Sequence, residues 1–259
     1  MIRILYVILS LFIVIGCKSE RTKESKQVVP KQEKKKLVKK IDIKPKVRPI
    51  TNETVEERLQ AYGRENPETE VEIYTSKGKI RIKLFEDTPL HRSNFIMLCK
   101  KGYFNNSVFT RVVKGFMAQA GGTYNDDHKM IKQELGKYTI PSEMKKHHFH
   151  KKGAVGAARL YINNDDKRSA PYAFYFVEGT RYTKKALKHY EEENKYTYTE
   201  EQREYYLGNN IGAAHIDGEH TVFGQIVEGY ETVPQLTSVK KDTRDWPLTD
   251  LFIDSVKVY

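Results

Sequence analysis

The chain has few cysteines: Cys17 and Cys99 are the only two in 259 residues. Two thiols cannot build a disulfide-stapled framework, and Cys99, beside Leu98 in a predicted helix, is expected to be a buried, inert thiol. Long hydrophobic runs are absent. The longest, Ile4 to Ile15, is about a dozen residues and too short to span a bilayer comfortably. A phosphate loop is missing too. Gly153–Arg159 is rich in small residues, but it lacks a Gly-x-Gly start and a strand-to-helix setting. His147, His148 and His150 fit no standard zinc spacing, and local sequence supplies no Cys or carboxylate partner, so no metal and no cofactor are expected. The acidic side of the charge balance is thin at one end only. The net charge is +11, yet Lys18 to Arg48 holds 13 Lys and Arg against four acidic residues, and Arg3 adds one more. The chain from Pro49 to Tyr259 is almost neutral. A nucleic-acid enzyme would carry its basic charge on a folded face, so nucleic acid is not an expected partner.

The N-terminus accounts for the basic stretch. Met1-Ile2-Arg3, the apolar run and Val14-Ile15-Gly16-Cys17 have the layout of a secretory signal that ends on a small residue and a cysteine. This resembles the bacterial lipoprotein signal, which implies a signal peptide over 1–16 and lipidation of Cys17. Residues 17–50 are Lys-rich, carry Pro30, Pro45 and Pro49, and hold too little apolar surface to offset ordering entropy. They read as a tether. The folded domain is expected over 51–259, with its sheet from about residue 70.

Within it, Thr54-Val55-Glu56-Glu57 is a capping-box pattern opening a short helix. Val71–Tyr74 and Ile80–Leu84 alternate around Ser76-Lys77-Gly78, which predicts a hairpin. Thr88 supplies an N-cap and Pro89 the first position of a helix that Gly102 stops. Asn125-Asp126-Asp127-His128 opens an insert, 123–152, and reads as loop. A second insert, 180–213, holds helical stretches near Lys184–Glu193 and after Thr199, whose Gln202 completes a capping box. The last residues alternate as a closing strand.

The informative stretch is Phe109–Gly122. It reads as two strands around a Lys114-Gly115 turn, with Arg111 and Gln119 set among apolar residues. Arg111 is either an edge-strand cation reaching water or a fixed donor on the wall of a shallow apolar cleft. Phe-x-Arg, two aliphatics, a turn, Phe-Met, one residue, Gln, one residue and Gly-Gly resembles the core motif of the cyclophilins. Three further segments are similar to the same family: the small-residue stretch Gly153–Arg159, Ser169–Val177, and His215-Ile216-Asp217-Gly218-Glu219-His220-Thr221-Val222-Phe223-Gly224. Thr110 stands where the family usually has His, Ala173 where it has Gln, and His215 where eukaryotic members have Trp.

The resemblance implies a mainly β fold, a closed eight-stranded antiparallel barrel with capping helices and two inserts. It implies peptidyl-prolyl cis-trans isomerase activity, with Arg111 and Gln119 catalytic and with Phe109, Phe116, Met117, Ala158, Tyr175, His215, Ile216 and His220 binding substrate. Partners would be proline-containing polypeptides. A lipidated Cys17 would hold a monomer in the bacterial envelope, at the periplasmic face or the cell surface, where it assists folding. Thr110 and Ala173 keep open a peptide-binding or chaperone module with little isomerase activity. A structural envelope protein acting through the tether would leave the Arg111 strand pair unexplained.

Overall fold

The computed structural model describes residues 48–259. The expected signal peptide, Cys17 and nearly all of the tether lie outside the described residues. Alternation sets the first elements. After α1 (Val55–Glu65), β1 (Glu70–Thr75) and β2 (Gly78–Leu84) pair as the expected hairpin, with Ile73 opposite Ile80 and Val71 opposite Ile82. All four side chains are buried inside the barrel. Then come α2 (Pro89–Lys100), β3 (Ser107–Val113), β4 (Met117–Gly122) and α3 (Asp126–Leu135). They are followed by β5 (Ala154–Ala157), β6 (Phe174–Val177), α4 (Lys184–Asn194), α5 (Glu200–Leu207) and a 3₁₀ turn at Ala214–Ile216. β7 (Val222–Glu228), α6 (Thr232–Thr237) and β8 (Phe252–Val258) complete the chain.

The eight strands close in the order β1-β2-β7-β5-β6-β4-β3-β8, each paired antiparallel to its neighbours. Closure removes both sheet edges, so each of these strands is flanked on both sides. β8 is the closing strand, bonded to β1 and β3. The interior is filled by alternate residues of the strands and by α2. Phe95 of that helix packs its ring 5.0 Å from those of Phe104 and Phe174 and 5.5 Å from that of Phe223. A fully buried side chain of this size contributes about 1.5–3 kcal/mol. Cys99 also lies buried on α2, its thiol pushed up by burial, as fits a packing residue.

Three local expectations are corrected. Thr54 makes no side-chain cap; its Oγ1 accepts instead from the Thr51 N–H at 3.0 Å, one turn back. Thr88 does not cap α2 either. The carboxylate of Glu143, from the first insert, accepts the N–H groups of Leu90 and His91 at 3.0 and 2.9 Å. Residues 126–135 form a helix rather than a loop. Asn125 accepts the Asp127 N–H at 2.8 Å, Asp126 and Asp127 suit the helix N-terminus, and His128 and Leu135 are buried beneath it. The Thr199–Gln202 capping box is present with both of its bonds.

Candidate active site

Strand register assembles the site. Arg111 on β3 lies opposite Gln119 on β4, Gln119 opposite Tyr175 on β6, and Tyr175 opposite Gly156 on β5. The inward neighbours of these residues, Val112, Ala118, Ala120, Phe174, Phe176, Val155 and Ala157, fill the core. The row from Arg111 to Gly156 therefore faces outward. There Met117, Ala158, Tyr175, Ile216 and Val222 form a second apolar cluster, against which Phe116 packs. Between them opens a cavity of about 510 Å³, bordered by Arg111, Phe116, Met117, Gln119, Ala158, Arg159, Tyr161, Tyr175, His215, Ile216 and His220.

Of the ten residues expected at the catalytic and binding positions, nine border this cavity. Phe109 does not. Its ring is 1% exposed and sits in the barrel core. Simple alternation would put positions 109 and 111 on one face. A register shift between Phe109, opposite Ala120, and Arg111, opposite Gln119, inserts Thr110 as an extra residue and reverses the parity.

Arg111 is neither buried nor unpartnered. Its side chain is 45% exposed, Nε donates to Asp245 Oδ2 at 3.2 Å, and the guanidinium lies 5.9 Å from the Phe116 ring. Asp245 comes from the loop before β8, and hydrogen bonds from Lys241 and Arg111 lower its carboxyl below the ordinary value. The geometry fixes Nε and leaves the two Nη groups without a hydrogen bond among the described residues. Gln119 donates weakly to Thr110 Oγ1 at 3.5 Å, so Thr110 still gives Gln119 a partner.

The far wall is set by two neutral histidines. His220 Nδ1–H donates to the Ala157 carbonyl at 3.0 Å, and Nε2 accepts from Tyr161 Oη–H at 2.7 Å. Burial pushes this imidazole down to about 4. His215 packs its ring 4.5 Å from that of Phe116, and its Nδ1 pairs with the Tyr182 hydroxyl at 3.0 Å. Burial takes it down to about 4 as well. Tyr182 lies in the second insert, and Asn194 at the end of α4 donates to the His215 carbonyl at 2.8 Å. That insert therefore buttresses the groove wall.

Behind Tyr175 runs a buried polar chain. Tyr175 Oη is 2.8 Å from His150 Nε2, and His150 Nδ1 is 2.6 Å from Asp217 Oδ1. Asp217 Oδ1 also accepts the His150 backbone N–H at 2.9 Å, and Oδ2 accepts from Tyr206 Oη–H at 2.6 Å. The Tyr175 ring is held at its hydroxyl end on one side by this chain. On the other side a Cβ at Gly156 would come within 2.2 Å of Cζ, so only glycine admits the ring. Strand pattern cannot reveal His150, which lies in the insert, or Asp217, which reads as a turn residue. Tyr161 is equally hidden: it is exposed, in an irregular segment, and stacked 4.0 Å from the Arg159 guanidinium. Arg159 in turn is bonded to the Glu219 carboxylate and carbonyl, so its charge is already partnered. Ala173 contributes no polar group to the cavity.

The arrangement can hold a small apolar ring against Met117, Phe116, Tyr175 and Ile216, and can present guanidinium N–H groups and an amide to the backbone beside it. The family model described as "Cyclophilin type peptidyl-prolyl cis-trans isomerase/CLD" matches residues 70–258. A putative peptidyl-prolyl cis-trans isomerase of Staphylococcus saprophyticus is 28% identical over 187 residues, covering 72% of this chain and 89% of that protein. Peptidyl-prolyl cis-trans isomerase-like 3 of Dictyostelium discoideum is 26% identical over 192 residues, covering 73% and 94%. The crystal structure of a cyclophilin type peptidyl-prolyl cis-trans isomerase of Cryptosporidium parvum is similar in fold, with a TM-score of 0.51 at 18% identity, covering 74% of this chain and 98% of that one.

Proposed function

The chain belongs to the cyclophilin-type peptidyl-prolyl cis-trans isomerase family, and from that premise we propose that it rotates X-Pro peptide bonds with Arg111 as the catalytic donor. Amide resonance imposes a barrier of about 18–20 kcal/mol on this rotation. Catalysis requires the twisted amide to be bound better than either planar form. In the twisted form the proline nitrogen becomes pyramidal and gains a lone pair. An Nη–H of Arg111 donates to that lone pair and disfavours return to resonance. The proline ring rests in the apolar pocket of Phe116, Met117, Tyr175 and Ile216, bordered by Ala158, His215 and His220. Gln119 holds a backbone carbonyl next to the bond. Proton transfer has no part in this scheme, which accords with two rim imidazoles that stay neutral near pH 7.

The single observation that carries the reading is convergence. Three segments far apart in sequence, around Arg111, Tyr175 and Ile216–His220, line one cavity of about 510 Å³ with a guanidinium whose two Nη groups have no hydrogen bond among the described residues. The test is an X-Pro peptide isomerisation assay on the purified protein beside Arg111→Ala. We expect a rate above the spontaneous one that falls about 10²–10³-fold in the variant, the usual loss for one transition-state donor. Peptide binding without a rate above background would instead favour the binding module that Ala173 and Thr110 keep open.

We further propose that a lipid on Cys17 anchors the protein in the bacterial envelope, where it assists the folding of proline-containing polypeptides. The apolar run ending in Gly16-Cys17 and the polar stretch after it support this. More than one acyl chain is needed for stable anchoring. Labelled fatty acid should enter the wild type in cells and not Cys17→Ser; equal labelling would refute the anchor.

A further inference from the structure

The histidine run of the first insert divides in the folded chain. His150 turns inward to Asp217, while His147 and His148 turn to Asp87, on the loop between β2 and α2 and about sixty residues away in sequence. His147 Nε2 is 2.8 Å from Asp87 Oδ2, and His148 Nε2 is 2.7 Å from Asp87 Oδ1. The ligand-bearing atoms of the three side chains all lie within 4.8 Å of one another.

We propose that Asp87, His147 and His148 bind one divalent cation of the zinc class. The chemistry of the donor set selects the metal. Two imidazole nitrogens and one carboxylate are the three-ligand set of many zinc sites that keep a fourth position for water. Calcium and magnesium favour oxygen ligands, so two imidazoles out of three count against them. A tetrahedral ion about 2.0–2.1 Å from each ligand needs ligand atoms somewhat over 3 Å apart. Modest side-chain rotation supplies this spacing, with the ion replacing the two imidazole–carboxylate contacts. Each imidazole then carries its proton on Nδ1 and presents the Nε2 lone pair.

The scaffold is partly organised for this. The His148 ring lies flat on Phe85, with centroids 3.7 Å apart and planes 9° apart, and its side chain is only 15% exposed. Its backbone N–H closes a turn onto the Lys145 carbonyl at 3.0 Å. The His147 ring packs edge-on against that of His148 at 4.3 Å. His147 and Asp87 are exposed, so the ion has an entry path and room for water. Lys145, Lys146 and Lys151 lie close in sequence and oppose a cation, so micromolar rather than nanomolar binding is expected. A bound ion would tie the 145–148 turn to the β2–α2 loop. The turn's His148 borders, with His150, Asp217 and His220, a cavity of about 290 Å³ beside the candidate active site. The proposal does not depend on the isomerase reading.

The full chain, stripped with a chelator, is titrated with ZnCl₂ by calorimetry and with CoCl₂ by visible absorption. One equivalent of zinc should bind, and cobalt should show the d–d bands of imidazole–carboxylate coordination. Asp87→Asn and His148→Ala, each checked for folding by circular dichroism, should weaken zinc at least tenfold. His189→Ala, which removes an exposed imidazole on α4, should change nothing, and CaCl₂ should give no heat. Absence of binding at millimolar zinc would overturn the proposal. So would equal zinc affinity in the wild type and the Asp87→Asn/His147→Ala/His148→Ala variant.

Discussion

Replacing Asp217 tests what the buried chain behind Tyr175 is worth. The Asp217 carboxylate is 2% exposed and accepts three donors: the His150 N–H, His150 Nδ1–H and Tyr206 Oη–H. His150 and Tyr206 are 1% and 0% exposed, so the intact fold shields these donors from water. In Asp217→Ala all three donors are stranded, at about 1–3 kcal/mol each if nothing relaxes. Some relaxation occurs, so the summed loss is about 3–5 kcal/mol. We expect a loss in that range. Asp217→Asn keeps one acceptor oxygen for both His150 donors and turns an NH₂ toward Tyr206, whose hydroxyl can rotate to accept. Only charge assistance is lost, about 1–2 kcal/mol. Urea denaturation measures both, with an unchanged slope as the sign of an intact unfolded reference. Freed of Asp217, His150 no longer fixes the Tyr175 hydroxyl, so KM for an X-Pro peptide should rise in the alanine variant. If Asp217→Ala unfolds within about 0.5 kcal/mol of the wild type, the chain carries no energetic weight and the reasoning fails.

The same geometry sets other expected outcomes. Arg111→Lys keeps the charge but loses the planar set of donors, so kcat/KM should fall about 10²–10³-fold with KM little changed; a rate within threefold of wild type would remove Arg111 from the mechanism. Phe109→Ala should cost about 3–5 kcal/mol of stability yet leave KM of the residual folded protein alone, whereas Phe116→Ala should raise KM with a small stability change; the reverse pattern would put Phe109 back in the groove. His215 and His220 are both depressed to about 4 in the fold, against about 6.5 unfolded. The unfolded chain therefore binds more protons between these values, and stability is complete above about pH 6.5 and is lost as pH falls toward 4. Both rings border the open groove, which discounts the effect to about 2–3 kcal/mol for the pair; His220→Asn should flatten part of the slope in acid denaturation. Activity should stay level from pH 6 to 8, since neither imidazole titrates there.

Local rules account for what local physics controls. The β1–β2 hairpin arises from two-residue alternation around Gly78, and the start of α5 from the Thr199–Gln202 reciprocal bonds. These rules fail where a distant group intervenes. Thr88 looks like a cap for α2, but Glu143 does the capping because the first insert folds back over the helix N-terminus. The helix after Asn125 escapes them because a polar, charged segment reads as loop until His128 and Leu135 find the apolar surface they cover.

The candidate site divides along the same line. Arg111 and Gln119 stand out from one stretch as polar side chains in an apolar strand pair, and the family resemblance adds Phe116 and Met117 beside them. Phe109, which the resemblance placed in the groove, lies in the core because a bulge at Thr110 reverses alternation between it and Arg111, and that bulge is set by pairing with the partner strand. Asp245 beside Arg111, Tyr161 on His220, and the pairing of Asp217 with His150 join residues tens of positions apart. The same is true of Asp87 with His147 and His148, which the sequence presents only as a histidine run without a carboxylate. By itself the sequence determined the strand periods, the turns and the residue types of one groove wall, because these are set by neighbours along the chain. Only the closed barrel decided which of them meet and which groups partner and neutralise them. Closure sets the register among eight strands at once, and hydrogen bonds from His150 and Tyr182 tie the two inserts to the groove wall.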